Sequence, residues 1–225
     1  MPNCILTTFN YQIDQKLITE HQKVVSKMTE GTDIQFVPLR YNLPRKMLLH
    51  YQTLDYGLKH LIDKFDNFLI LDVDCIPLSK SALVYTFERI KQNVLIGTAQ
   101  RSMHIENNKH VYCGSPCVGF SKELFHRLGN PSFIPTERGD TAEELTYRAE
   151  EIGNEIEIFM PSTYEAEPFG GPAWELHSSE VKYGVGTTFV DKNGKEVYYH
   201  LFESRVHVHN ELFYKKMIVH FLSIS

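Results

Sequence analysis

Phe68-Leu69-Ile70-Leu71 is apolar at every position, and the run ends abruptly on Asp72-Val73-Asp74. A strand with one wet face alternates apolar and polar residues, whereas a strand without polar positions has to be covered on both sides. Such strands sit in sheets sandwiched between helices, and the flanking sequence supplies helices. Cys4 to Phe9 reads as a first strand. Ile13, Leu17, Ile18, His21, Val24, Val25 and Met28 follow at spacings of three and four, which predicts an amphipathic helix over 13–28. A second strand is predicted at 33–39. Pro44 suits the first turn of a helical stretch that reaches about Phe65. Ser79 is the expected N-cap of a helix from Lys80 to Gln92, and Val94 to Ala99 is a fourth strand. Strands alternating with helices predict a parallel sheet covered on both faces.

Beyond Gln100 the pattern is less regular. Val111 to Phe120 is strand-like, and Ser121 caps a short helix through Leu128. Glu143 to Ile152 is helical and stops at Gly153. Residues 163–184, rich in Gly, Pro and polar side chains, are expected to form a long loop. Two strands, 185–190 and 197–202, flank Asn193-Gly194, a strong hairpin signal. Glu211 to Ser223 is expected to close the chain as an amphipathic helix.

A chain of 225 residues suits one α/β domain. The formal net charge of -5, from 23 Lys and Arg against 28 Asp and Glu, offers no basic face for nucleic-acid phosphates. The four cysteines, Cys4, Cys75, Cys113 and Cys117, are too sparse for a disulfide scaffold and are expected as free thiols in a reducing compartment. The N-terminus lacks the basic and apolar blocks of a signal peptide, and no apolar run approaches the roughly 20 residues of a transmembrane helix. The expectation is a cytoplasmic protein without a transmembrane segment.

The carboxylates ending the apolar run carry the chemistry. The carboxyl end of a central parallel strand opens into the crevice where such sheets bind ligands. Two residues apart on an extended chain, Asp72 and Asp74 would emerge on the same side. Two close carboxylates repel, and a divalent cation relieves that repulsion; hard oxygen ligands suit Mg2+ or Mn2+, which in turn hold a diphosphate.

An apolar strand ending in DxD resembles the metal-binding motif of GT-A glycosyltransferases, which use nucleotide-sugar donors. The resemblance implies a GT-A-like, Rossmann-type α/β fold: a mixed, mostly parallel central sheet flanked by helices, with a small C-terminal hairpin and helix. It implies one domain over 1–225, with a nucleotide-binding half at 1–100 and an acceptor-binding half at 101–225. It also implies a hexosyltransferase-type enzyme with a UDP- or GDP-sugar donor and a glycan, lipid or protein hydroxyl acceptor. Asp74 would bind the metal directly, and Asp72 would serve metal and donor. Tyr199 to Arg205 matches the family's C-terminal segment, with His200 as a further metal ligand and Arg205 facing the donor phosphates; His207 and His209 are competing histidines.

Gly139-Asp140-Thr141-Ala142-Glu143-Glu144 is similar to the family's acidic acceptor segment, which makes Asp140 the candidate base, with Glu143 or Glu144 behind it. Asp140 and Glu143 also fit a plain helix-capping pair. Thr7 and Thr8 end the first strand, where the family cradles the nucleoside, and Arg45 with Lys46 could face the diphosphate. The glycines of Tyr112 to Gly119 would let a strand pass beneath the donor sugar. Trp174, after Gly170-Gly171, is either an acceptor platform or lid, or a buried loop residue. Two other readings compete: a HAD-type phosphohydrolase, which also carries DxD after an apolar strand, and a GT-A-like domain that binds a nucleotide sugar or glycan without turnover.

Overall fold

The computed structural model describes residues 2–10, 15–41, 50–102, 105, 109–165, 173–176, 181–202, 211 and 213–216. In chain order its elements are β1 (Asn3–Asn10), α1 (Gln15–Thr29), β2 (Ile34–Tyr41), α2 (His50–Leu61), β3 (Asn67–Leu71), β4 (Cys75–Pro77), α3 (Lys80–Lys91) and β5 (Leu95–Gln100). There follow β6 (Tyr112–Ser121), α4 (Lys122–Arg127), α5 (Glu143–Glu151), β7 (Ile156–Thr163), β8 (Ala173–Glu175), β9 (Lys182–Gly184), β10 (Thr187–Val190) and β11 (Glu196–His200). Nine strands make one mixed sheet in the order β2-β1-β3-β6-β5-β7-β10-β11-β4, and β8 pairs only with β9. This is the mixed α/β architecture expected of the sequence, with β10 and β11 as its C-terminal hairpin.

The apolar run explains the layering. On β3, Leu69 and Leu71 pack into one core with Leu17, Val24 and Val25 of α1 and Leu83 and Phe87 of α3. Phe68 and Ile70 point the other way, into a second core with Leu54 and Leu58 of α2, Leu124 of α4 and Leu145 of α5. These four apolar side chains of β3 are fully buried, each contributing roughly 1.5–3 kcal/mol of apolar burial. Period-two geometry thus feeds two cores from one strand.

The sheet differs from the expected parallel continuation. β1 pairs in parallel with β2 and with β3. β6 then inserts antiparallel between β3 and β5, while β5 and β7 are parallel. The hairpin signal selected a hairpin, closed by Asp191, whose Oδ1 accepts from the Asn193 and Lys195 amides, with Gly194 at φ +78°. The stretch expected as one long loop contains β8 and β9. Of the expected C-terminal helix, residues 211 and 213–216 are described and are helical.

β3 ends at Leu71 and β4 starts at Cys75, yet β4 lies at the opposite end of the strand order, beside β11. The sheet therefore curls back at the Asp72–Cys75 connection. That closure brings the C-terminal hairpin onto the acidic pair. No helix among the described residues is long and apolar enough to cross a membrane.

Candidate metal and donor site

Asp72 and Asp74 do not stand on an extended strand. The Cys75 amide donates to the Asp72 carbonyl (3.0 Å), so residues 72–75 form a tight turn. The two carboxylates share a side because the turn folds them together; strand alternation is not the cause. The Asp72 amide donates to Pro116 O in β6 (2.9 Å), and the Leu201 amide donates to Asp74 O (2.9 Å). Antiparallel pairing of β4 with β11 sets His200 opposite Cys75. His200 Nε2 then lies 3.2 Å from Asp74 Oδ1.

Asp72, Asp74 and His200 each present a ligand atom within 4.8 Å of the other two. The donor set, two carboxylates and an imidazole, suits a divalent ion of the Mn2+ or Mg2+ kind. Electrostatics agree. Burial, and then the Asp74 charge, hold the Asp72 carboxyl well above the usual carboxylate range, with His200 opposing. A cation between the two acids would remove that repulsion.

Two further histidines belong to this site, and neither was assigned to it from sequence. His50, the first residue of α2, brings Nε2 to 3.1 Å from Asp72 Oδ1. His21 of α1, at 0% exposure, brings its Nε2 to the Cys75 carbonyl at 3.1 Å. Burial pushes the His21 pKa down to about 4, against an opposing pull from Asp74. His21 did carry a signal: it occupies an apolar position of an amphipathic helix. His50 carried none beyond its place near a helix start.

Thr7 and Thr8 do not end the first strand, which runs on to Asn10, and both side chains are buried. Thr8 Oγ1 bonds Thr53 Oγ1 of α2 (3.1 Å). Thr7 is 1% exposed, and its hydroxyl has no hydrogen-bond partner among the described residues. Arg45, Lys46 and Arg205 lie outside the described residues, as do His207 and His209. The glycines of β6 face protein: a Cβ at Gly114 would meet Gln100 Oε1 at 2.5 Å, and one at Gly119 would meet Ile90 Cδ1 at 2.5 Å. These two are small because of neighbouring side chains, not to make room for a sugar.

The acidic segment forms a second cluster. Asp140 accepts at Oδ1 from the Thr141 amide (2.6 Å). It is not the helix N-cap; that place belongs to Ala142, held at φ 66° without a side-chain cap, a backbone that costs a non-glycine residue about 1 kcal/mol. Glu143 reaches back to the Asp140 amide (2.8 Å), so the capping reading is half realised. Glu143 is 0% exposed, and its carboxylate also accepts from Ser102 Oγ and meets His110 Nδ1 at 2.7 Å. Aromatic rings lead from this cluster towards His200, starting at Tyr183, whose hydroxyl donates to the carbonyl of Arg101, next to Ser102 (3.4 Å). The Tyr183 hydroxyl is held up by burial and feels Asp140. The Tyr183 ring packs on Trp174 and Phe202 at 5.5 and 5.2 Å, and Phe202 meets His200 at 4.0 Å. All four cysteines are buried and free.

No protein-family model and no curated protein matches the chain. Several solved structures follow a similar chain path. A protein from STIV aligns over 88% of this chain and 93% of its own, at 9% identity and a TM-score of 0.45. A Drosophila β-1,4-galactosyltransferase 7 mutant, in complex with manganese, UDP-Gal and xylobiose, aligns over 70% of this chain and 65% of its own, at 15% identity and a TM-score of 0.49. A glycosyltransferase involved in glycosylation of the major capsid of PBCV-1 aligns over 70% of this chain and 81% of its own, at 11% identity and a TM-score of 0.42.

Proposed function

We propose that the chain is a metal-dependent glycosyltransferase that moves a sugar from a nucleotide-diphosphate sugar to a hydroxyl acceptor. One observation carries the reading: the rim of the sheet brings together Asp72, Asp74 and His200, a set of divalent-cation ligands assembled from distant parts of the chain. Asp74 and His200 would hold the ion, and Asp72 would serve both ion and donor. A divalent ion there supplies Lewis-acid neutralisation of the departing diphosphate. Thr7 and Thr8, in the second half of β1, are assigned to the nucleoside by sequence, with the Thr8 hydroxyl committed to Thr53. Arg45 and Arg205 are assigned to the diphosphate by sequence alone.

On the acceptor side, Asp140 is the candidate base. In an inverting transfer it takes the proton of the acceptor hydroxyl as that oxygen bonds the anomeric carbon and the bond from that carbon to the diphosphate breaks. Glu143 keeps the Asp140 amide in place. We read residues 1–225 as one functional unit, the donor bound by the first hundred residues and the acceptor by the remainder, acting in the cytoplasm.

A thermal-shift panel of UDP, GDP, CDP and their sugars, each with and without Mn2+, tests the reading. A ligand bound by the native state alone raises the midpoint. Stabilisation by one nucleotide family that needs Mn2+ and disappears in Asp74→Ala supports it. Phosphate release from a simple monoester, trapped on Asp72, would make the chain a phosphohydrolase instead. Metal-dependent binding with no sugar transfer or donor hydrolysis would leave a binding domain.

A further inference from the structure

We infer that His21 is a positioning residue for the metal site: from α1, its Nε2–H holds the Cys75 carbonyl and so fixes the turn that presents Asp72 and Asp74. The inference rests on the proposed metal site and adds to it a residue that touches neither metal nor substrate.

The backbone of the turn accounts for the argument. The Asp72 amide is tied to Pro116 O, the Cys75 amide to Asp72 O, and the Asp74 carbonyl to the Leu201 amide. Those three ties are main chain to main chain. The Cys75 carbonyl is tied to a side chain, His21 Nε2 at 3.1 Å. Among the described residues it is the one side chain bonded to the main chain of this turn, where the turn passes into β4. A carbonyl only accepts, so the proton sits on Nε2 and Nδ1 carries the lone pair.

Nδ1 is buried with no hydrogen-bond partner among the described residues, and the edge of Phe36 packs nearby, with ring centroids 6.1 Å apart. An imidazole that leaves one nitrogen unused in an apolar layer is a poor core filler; leucine would occupy the place without that cost. What histidine provides there is the single bond to the turn. A neutral ring also suits the place, since a positive charge beside the carboxylates would compete with the cation.

The test is Mn2+ affinity, read from the electron paramagnetic resonance of free Mn2+ without nucleotide, for wild type, Asp74→Asn, His21→Leu and His21→Gln. Each is paired with circular dichroism and metal-free melting. His21→Leu is expected to fold and to bind Mn2+ about tenfold or more weakly, the usual effect of losing an outer-shell partner. His21→Gln, whose amide can reach the same carbonyl, is expected to stay within about threefold of wild type. Should the leucine variant not fold, His21→Asn, one methylene too short, replaces it in the comparison with glutamine. Wild-type affinity in a folded His21→Leu, or in His21→Asn, overturns the inference while leaving the metal site standing. Equal Mn2+ uptake by wild type and Asp74→Asn overturns the metal site and the inference together.

Discussion

His200 Nε2 lies 3.2 Å from Asp74 Oδ1, although one residue ends β11 and the other follows β3. The contact exists because β4, entered directly from the acidic turn, pairs with β11. Folding the hairpin onto the sheet is what completes the ligand set. His200→Ala and Asp74→Ala are each expected to weaken Mn2+ binding by at least about a hundredfold, beyond the loss of an outer-shell partner. Isothermal titration with Mn2+ checks this.

Asp72 gives the site a pH signature. Its folded-state pKa is raised, so between the ordinary carboxylate value and that raised value the native state binds more protons than the unfolded chain. Metal-free stability contributed by this group is therefore present at low pH and lost as pH rises through the window. In the absence of metal, Asp72→Asn is expected to gain on wild type in melting temperature as pH increases from about 4. Saturating Mn2+ should abolish that advantage. A gap that does not widen with pH would contradict the account.

His21 acts in the opposite sense. Its pKa is lowered to about 4, so its contribution is present above about pH 6.5 and is lost as pH falls towards 4. The shift corresponds to roughly 3 kcal/mol between the two limits. His21→Leu should flatten the acid limb of the stability profile, as followed by denaturant melts between those pH values.

Glu143 is a buried carboxylate with several partners from separate segments: Ser102 after β5, His110 before β6 and the Asp140 amide. Removing it strands those groups. Glu143→Ala is expected to cost about 2–4 kcal/mol in urea unfolding, whereas Asp140→Asn should leave stability near wild type and abolish transfer while sparing Mn2+-dependent nucleotide binding. Full transfer activity in Asp140→Asn would remove it as the base.

Trp174 packs on Tyr183 and Phe202, and Phe202 packs on His200. Its half-buried ring is linked to His200 through Phe202, and the proposed function assigns it to the acceptor. Trp174→Ala is expected to raise the acceptor KM several-fold and leave Mn2+ affinity unchanged, measured by initial rates and by titration.

Local patterning made much of the fold legible. The three-four spacing of α1, the unbroken Phe68 to Leu71 run, and the Ser79 and Ser121 caps all appear where the sequence puts them, with Ser79 Oγ accepting from Ala82 N and Ser121 Oγ from Leu124 N. Strand direction was not legible. β6 is buried at nearly every position, so its composition is the same whether it runs parallel or antiparallel, and only the closure of the sheet decides. β4, three residues long, is too short to carry a period. β7 carries one in Ile156-Glu157-Ile158, too brief to mark a strand.

The site divides the same way. Asp72, Asp74 and His200 could be proposed from residue type and order, and they converge. The turn that unites the two acids could not, because residues two apart share a side in a strand and also in this turn. His50 was hidden for another reason: its role depends on a long-range contact with Asp72 that leaves no periodic trace.

Crystals soaked with Mn2+ and the stabilising nucleotide, measured at the manganese absorption edge, test the central claim most directly. The account predicts an anomalous peak bounded by the Asp72 and Asp74 carboxylates and His200 Nε2, with the diphosphate on its open side. Manganese bound elsewhere, with those carboxylates neutralised by protein cations, would contradict it.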